Sequence, residues 1–262
     1  MKIDSSALMN AMRERHSVKK YNATPLTPQD KAFVGNTIAH INATSGLNMQ
    51  LIENEPEVFR TFISARTGLI SAHSYIAMVG TAHKDLDFFV GYWGELLVLL
   101  LQSRGIHTNW TGGTRRLGLS TARVQQNEKN TILIALGYGE NSGKERSTRP
   151  IEALCSAPSP YSPWLRRALH AAQLAPTGYN RQKFHFTIDE NGNFETNPLL
   201  WKANITAKST THMPLNLIDL GIATRHFELG ASNYFSSVYG WEPTISRSED
   251  PRSFSFTYPV VE

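Results

Sequence analysis

Leu174-Ala175-Pro176-Thr177-Gly178-Tyr179-Asn180-Arg181-Gln182 lies between an apolar helical stretch and an apolar strand-like one. An earlier stretch, Asn42-Ala43-Thr44-Ser45-Gly46-Leu47-Asn48-Met49-Gln50, holds the same place between its own neighbours. Working outward from the pair, the surroundings match as well. Thr27 caps a helix from Pro28 towards Ile41, with proline at its first position, and Pro163 to Leu174 is the helix before the later loop. Thr44 to Asn48 reads as loop, and strands follow at Met49–Ile52 and Phe184–Ile188. Long apolar helices come next, from about Asp85 to Ser103 and from Leu217 to about Phe235. Within them Trp93-Gly94-Glu95 stands against Leu220-Gly221-Ile222. One loop match means little, but a recurring order of elements favours an internal duplication over coincidence.

The remaining elements fill out two halves. Ser5 to about Arg15 places Ala7, Leu8, Ala11 and Met12 on one helical face. Ile76–Val79, ended by Gly80, and Thr131–Leu136, ended by Gly137-Tyr138-Gly139, are strands. Asn191-Gly192 is a hairpin-type turn with Phe194 starting the return strand, and Ser253–Val261 alternates like a closing strand. Glu140 to Pro163 has the composition of a linker. The expected organisation is therefore 1–150 for the first half and 151–262 for the second, in the α+β class.

Composition excludes several function classes. Of 262 residues, 40% are hydrophobic, 10% aromatic and 18% charged, which describes a globular chain rather than a disordered one. Cys155 is the one cysteine, so neither an internal disulfide nor a cysteine-rich metal cage can form, and a reducing, cytoplasmic setting is expected. Met1-Lys2-Ile3-Asp4 has no apolar run behind it, so no signal peptide is expected. The greasiest run, Leu96–Leu101, is far shorter than the ~20 residues that cross a bilayer, so no membrane partner is expected. The net charge of +4 is scattered except at Lys19-Lys20 and at Lys144, Arg146 and Arg149. That distribution argues against nucleic acid and suits small anionic ligands.

Four segments could carry chemistry. Arg15-His16-Ser17-Val18-Lys19 follows a helix and could converge on one phosphate; a basic helix end that complements the helix dipole is the alternative. Trp110-Thr111-Gly112-Gly113 has paired glycines that let a backbone approach a flat ligand, or it is an ordinary turn. Gly137-Tyr138-Gly139 lacks the spacing and the following helix of a dinucleotide fingerprint, and reads as a strand exit leading to Lys144, Arg146 and Arg149. Pro176-Thr177-Gly178-Tyr179-Asn180-Arg181-Gln182 offers a hydroxyl, backbone amides and carboxamides that suit the edge of a heterocycle, or it is a structural turn. The nine histidines show no metal-ligand spacing, and no nucleophile elbow supports serine hydrolysis.

Together these segments resemble the nitroreductase family of FMN-dependent oxidoreductases. The matching motifs are Arg-His-Ser-x-Lys at Arg15–Lys19, Ala-Pro-Thr-x-x-Asn-x-Gln at Ala175–Gln182, Gly-x-x-x-x-Trp-x-Gly-Gly at Gly105–Gly113, and Ala-Leu-Gly-Tyr at Ala135–Tyr138 with the basic tail Lys144 to Arg149. The loop motif comes last instead of second, and its usual place holds the degraded Asn42–Gln50 copy. The chain is in this respect similar to the single-chain branch of the family, the TM nitroreductase type, whose members fold as pseudo-dimers.

The resemblance implies a nitroreductase-like fold of two pseudo-symmetric halves, each with a small mixed sheet flanked by helices. It further implies one FMN per chain in the cleft between them, and an intramolecular pseudo-dimer that is monomeric as a chain. The cofactor-binding set would be Arg15, His16, Ser17, Lys19, Trp110, Thr111, Gly112, Gly113, Lys144, Arg146, Arg149, Pro176, Thr177, Gly178, Asn180 and Gln182, with no side chain acting as nucleophile or base. The partners would be NAD(P)H and a nitroaromatic, quinone or similar small acceptor. A flavin-binding carrier or sensor without turnover, and a flavin-free interaction protein that retains the fold, are the rival readings.

Overall fold

In the computed structural model, residues 5–112, 116–157, 160–192, 202–235 and 244–258 are described. The chain forms two compact units, residues 1–147 and 148–262.

The first unit opens with helix α1 (Ser5–Glu14), followed by an extended segment to Tyr21 and then α2 (Pro28–Ser45). Thr27 is extended and its Oγ accepts the Asp30 N–H, while Pro28 takes the first helical position, so α2 begins where the cap demands. No proline interrupts its far end. The helix therefore continues through Thr44 and Ser45, the first two residues of the expected Thr44–Asn48 loop, and Gly46 closes it by donating its N–H to Asn42.

Strands β1 (Gln50–Ile52), β2 (Ser74–Thr81), β3 (His107–Thr111) and β4 (Glu128–Gly137) form a sheet in the order β1-β2-β4-β3. Every pairing in it is antiparallel, where a mixed sheet was expected. A short helix, α3 (Phe62–Thr67), falls between β1 and β2, and α4 (Leu86–Ser103) between β2 and β3. On one side of the sheet Tyr75, Ala77, Val79, Leu133 and Ala135 share a core with Val18, Tyr21, Val58, Phe59 and Leu69. Helix α4 packs on α1 and α2 and against the sheet, which accounts for its apolar surface all round. By length and composition the whole of α4 is long and apolar enough for a membrane span, a property shared by core helices, and 72% of it is buried within this protein.

The second unit consists of β5 (Cys155–Ser156), α5 (Pro163–Gln173), β6 (Phe184–Asn191), β7 (Lys202–Ser209), α6 (Asn216–Phe235), β8 (Thr244–Arg247) and β9 (Ser253–Tyr258). Its sheet runs β5-β6-β7-β9-β8. It is mixed, because β5 lies parallel to β6 while all other pairs are antiparallel. Asn191, expected in a hairpin turn, is the last residue of β6 and pairs with Lys202 of β7; Phe194 lies outside the described residues. Phe227 on α6 stacks on Phe186 at 4.5 Å, and the rings of Trp164 and Phe256 meet it edge-on, giving this unit an aromatic core.

With β5 set aside in the second unit, and α1 and the short α3 in the first, the two share one wiring: helix, two strands, helix, two strands. The strand order is also the same, with the fourth strand of each set between the second and the third.

Candidate functional site

The basic segment after α1 is shaped by backbone pairing. The Val18 N–H donates to Thr108 of β3, and Asn22 and Glu140 pair with Tyr138 and Lys20 respectively. The chain leaving β4 therefore runs back along this segment. It passes very close at Gly143 (φ +86), where a Cβ would come within 2.8 Å of the His16 Cβ and 3.2 Å of the Ser17 carbonyl oxygen. This approach delivers Arg146, whose guanidinium donates to the carbonyls of Arg15 (2.6 Å) and Met12 (2.9 Å) at the end of α1. Arg146 thus closes the last turn of α1, a favourable place for a cation.

Arg15 is 1% exposed. Its Nε lies 3.9 Å from the Oε1 of Glu95, a fully buried carboxylate in the middle of α4. The other Glu95 oxygen accepts the Trp110 indole N–H at 2.9 Å. Gly94 makes room for that indole, because a Cβ there would sit 2.6 Å from the Trp110 ring and 2.8 Å from the end of Met78. Glu95 thereby ties Arg15 to Trp110, two residues taken from separate motifs.

Charge and burial act on each of Arg15, His16 and Arg146. Burial lowers the pKa of Arg15, against the pull of Glu95. Burial, and then repulsion from Arg15, bring Arg146 down to about 10. His16 is lowered by burial and by both arginines, with Glu145 opposing. Arg15 Nε, His16 Nδ1 and Arg146 Nε are all buried without a hydrogen-bond partner among the described residues. Buried polar nitrogens in native proteins are nearly always paired, so three orphans in one place mark a spot suited to an anion.

Other members of the expected set lie elsewhere. Lys19 and Lys144 are exposed. Thr111 is fully buried and its hydroxyl donates to the Leu133 carbonyl at 2.7 Å, holding β3 to β4. Gly112 directly follows β3, and Gly113 lies outside the described residues.

In the second unit, Pro176 prevents α5 from continuing, and the chain turns through Thr177–Gln182 with Tyr179, Asn180 and Gln182 at φ 54°, 54° and 48°. Such left-handed values are strained for side-chain-bearing residues. Local bonds hold them in place: Thr177 Oγ accepts the Gln182 N–H and its carbonyl accepts the Asn180 N–H. Gln182 is buried, and its carboxamide is engaged at both ends, accepting the Arg149 N–H at 2.7 Å and donating to the Gln173 carbonyl at 2.7 Å. The Arg149 guanidinium donates to the Gln182 carbonyl at 3.0 Å. Arg149 and Gln182 are brought together, but as a brace across the end of α5 rather than as one phosphate ligand and one heterocycle ligand. Gly178 donates its N–H to both carboxylate oxygens of Asp219, at 3.0 and 2.9 Å. Tyr179 is exposed, with the Arg181 guanidinium over its ring.

The family model described as "Putative TM nitroreductase" matches residues 7–231. The chain belongs to this nitroreductase family. A "putative nitroreductase" from Thermotoga maritima MSB8 is similar across 98% of this chain and 95% of its own, with 21% identity and a TM-score of 0.65, and shares the fold. A "putative nitroreductase in complex with FMN" from Desulfovibrio desulfuricans aligns over 58% of this chain and 98% of its own at 14% identity and TM-score 0.47. Nitroreductase A from Vibrio parahaemolyticus aligns over 58% and 74% at 12% identity and TM-score 0.46. No curated protein matches the chain.

Sequence reasoning missed two residues of the candidate site, Glu95 and Asp219. Glu95 had a legible signal, since it is the lone charge in the apolar run Phe88–Leu101, and a buried charge needs a partner. Asp219 had none, because an acidic residue in the first turn of a helix is ordinary.

Proposed function

We propose that the protein is an FMN-dependent oxidoreductase that passes a hydride from NAD(P)H to a nitroaromatic, quinone or similar small acceptor. Membership of the nitroreductase family supports this reading. The observation that carries it is the buried cluster of Arg15, His16 and Arg146 with three unpartnered nitrogens. Its residues fit a phosphate, which brings roughly −1.5 to −2 charge and three acceptor oxygens. Arg15 and Arg146 would hold that phosphate, and His16 would give an Nδ1–H to it. Each charge-assisted contact contributes roughly 1.5–3 kcal/mol, and micromolar affinity corresponds to about 8 kcal/mol. Burial of the ring must therefore supply a comparable share.

Bound FMN supplies the two-electron chemistry, while the protein supplies orientation and electrostatics. Here Glu95 orients both Arg15 and the Trp110 indole, so the phosphate grip and the aromatic wall are fixed by one carboxylate. In the second unit, the Asn180 side chain is a group of the kind that suits a flavin edge. The wiring shared by the two units supports an origin by duplication, which fits one FMN per chain rather than two.

A visible spectrum of the purified protein with and without NADPH under anaerobic conditions tests the reading. The expected result is a flavin spectrum that NADPH bleaches and a small quinone restores, with one FMN bound per chain. A yellow protein that NAD(P)H leaves unchanged would be a carrier or sensor. A colourless protein that ignores added FMN would have kept the fold for interaction alone. Arg15→Ala and Arg146→Ala should each weaken FMN binding at least tenfold by fluorescence titration.

A further inference from the structure

The Thr177–Gln182 loop is left-handed at three of its last four positions, and most bonds that hold it come from within the loop or from the Arg149 brace. From α6 Asp219 reaches it, its two carboxylate oxygens both receiving the Gly178 N–H. A Cβ on Gly178 would lie 3.3 Å from Asp219 Oδ2, so the carboxylate is seated against the loop backbone itself.

We propose that Asp219 is a positioning residue: its carboxylate clamps the Gly178 amide and so holds the Thr177–Gln182 loop in the shape that presents Asn180 to a flavin, and protonation of that carboxylate loosens the loop. The loop's meeting the flavin rests on the reading above, but the clamp itself does not. The charge-assisted acceptance by both oxygens is stronger than acceptance by a neutral acid, one of whose oxygens carries a proton. The clamp is therefore tight above the pKa of Asp219 and slack below it. Burial lifts that pKa to about 6, against the opposing effect of the Gly178 amide, which puts the transition within reach of mild acid.

The elements packed on α6 carry other ionisable groups. These are Arg166, Arg167 and His170 on α5, His185, Asp189 and Glu190 on β6, and Lys202 and Lys208 on β7; the loop adds Tyr179 and Arg181. Lys208 is paired with Asp250. Burial and the Gly178 bond account for the behaviour of Asp219, with no charged neighbour among its causes.

The test reads the Gly178 amide in the flavin-free full-length protein by NMR, and FMN affinity separately by fluorescence. In the natural protein the Gly178 amide resonance should titrate with a midpoint near pH 6, and its exchange protection factor should fall several-fold between pH 7.5 and 5. Asp219→Asn, whose neutral carboxamide can accept through one oxygen as the protonated acid does, should hold the protection near the natural protein's pH 5 level at both pH values and abolish the titration. Asp219→Ala should lose protection at least tenfold at both pH values. The phosphate of FMN also titrates near pH 6, so the informative quantity is the difference between proteins. From pH 7.5 to 5 the natural protein should lose at least threefold more FMN affinity than Asp219→Asn does. A Gly178 resonance that does not titrate, or equal pH dependence of FMN affinity in the natural protein and in Asp219→Asn, overturns the proposal. If no form binds FMN while Gly178 titrates as described, the clamp stands and the flavin reading falls.

Discussion

The cluster around Arg15 and the loop Thr177–Gln182 were both legible as binding segments, and they use their polar atoms in opposite ways. At Arg15, three buried nitrogens have no hydrogen-bond partner among the described residues. At the loop, the Gln182 carboxamide, the Thr177 hydroxyl and the Gly178 amide already have partners. The lesson is that residue type identifies neither a site nor a turn. What separates them is whether donors remain after the fold has satisfied its own acceptors.

Substitutions can break or sharpen this contrast. The largest effect is expected for Glu95→Ala, which leaves the Arg15 charge buried and uncompensated and should cost about 3–5 kcal/mol in urea denaturation. A loss below about 1 kcal/mol would mean that Glu95 is not the counter-charge. Next is Gln182→Ala, which strands the Arg149 N–H and the Gln173 carbonyl and should cost about 2–4 kcal/mol. If it weakened FMN binding while leaving the unfolding midpoint unchanged, the brace would have to be reassigned as a ligand.

The pH dependence of stability distinguishes the regions too. The folded-state pKa of Asp219, about 6, lies above its ordinary value of 3.8. The folded form therefore holds the proton more tightly, and that contribution is complete below about pH 4 and lost as the pH rises through 6. The expected loss is on the order of 1–2 kcal/mol, since the carboxylate keeps some solvent contact. Asp219→Asn should remove it, as seen in denaturation midpoints between pH 4 and 7. The smallest effect is expected for Thr111→Val, about 0.5–1.5 kcal/mol from one hydrogen bond, with FMN affinity unchanged. A tenfold loss of affinity there would return Thr111 to the cofactor set.

Much of the frame was readable because local chemistry and global packing agree. The starts at Thr27-Pro28 and Pro163 and the apolar helices α4 and α6 were legible directly. The failures have physical reasons. Thr44 and Ser45 are helical because nothing like Pro176 stops α2, so the two loop copies differ most where their sequences look alike. His107–Thr111 is a strand that carries polar residues, since it lies at the edge of its sheet beside β4, and polar content hid it. The β5–β6 pair is parallel and two residues long, too short for any periodicity. In the candidate site, Arg15 and Arg146 were nameable from motif and charge. That Arg149, three positions further on, belongs to the other unit and braces Gln182 depends on where the chain crosses between units, at Ser147/Thr148.

The gap that Gly94 leaves for the Trp110 indole also fixes the rotational setting of α4. Adding or deleting one residue between Leu86 and Gly94 would swing everything after it by about 100° around the helix axis. Glu95 would then be carried away from Arg15 and Trp110 together, and a bulkier side chain would face the indole in place of the glycine. Changes of length in this family branch should therefore gather in the connections that flank the helix and spare its interior.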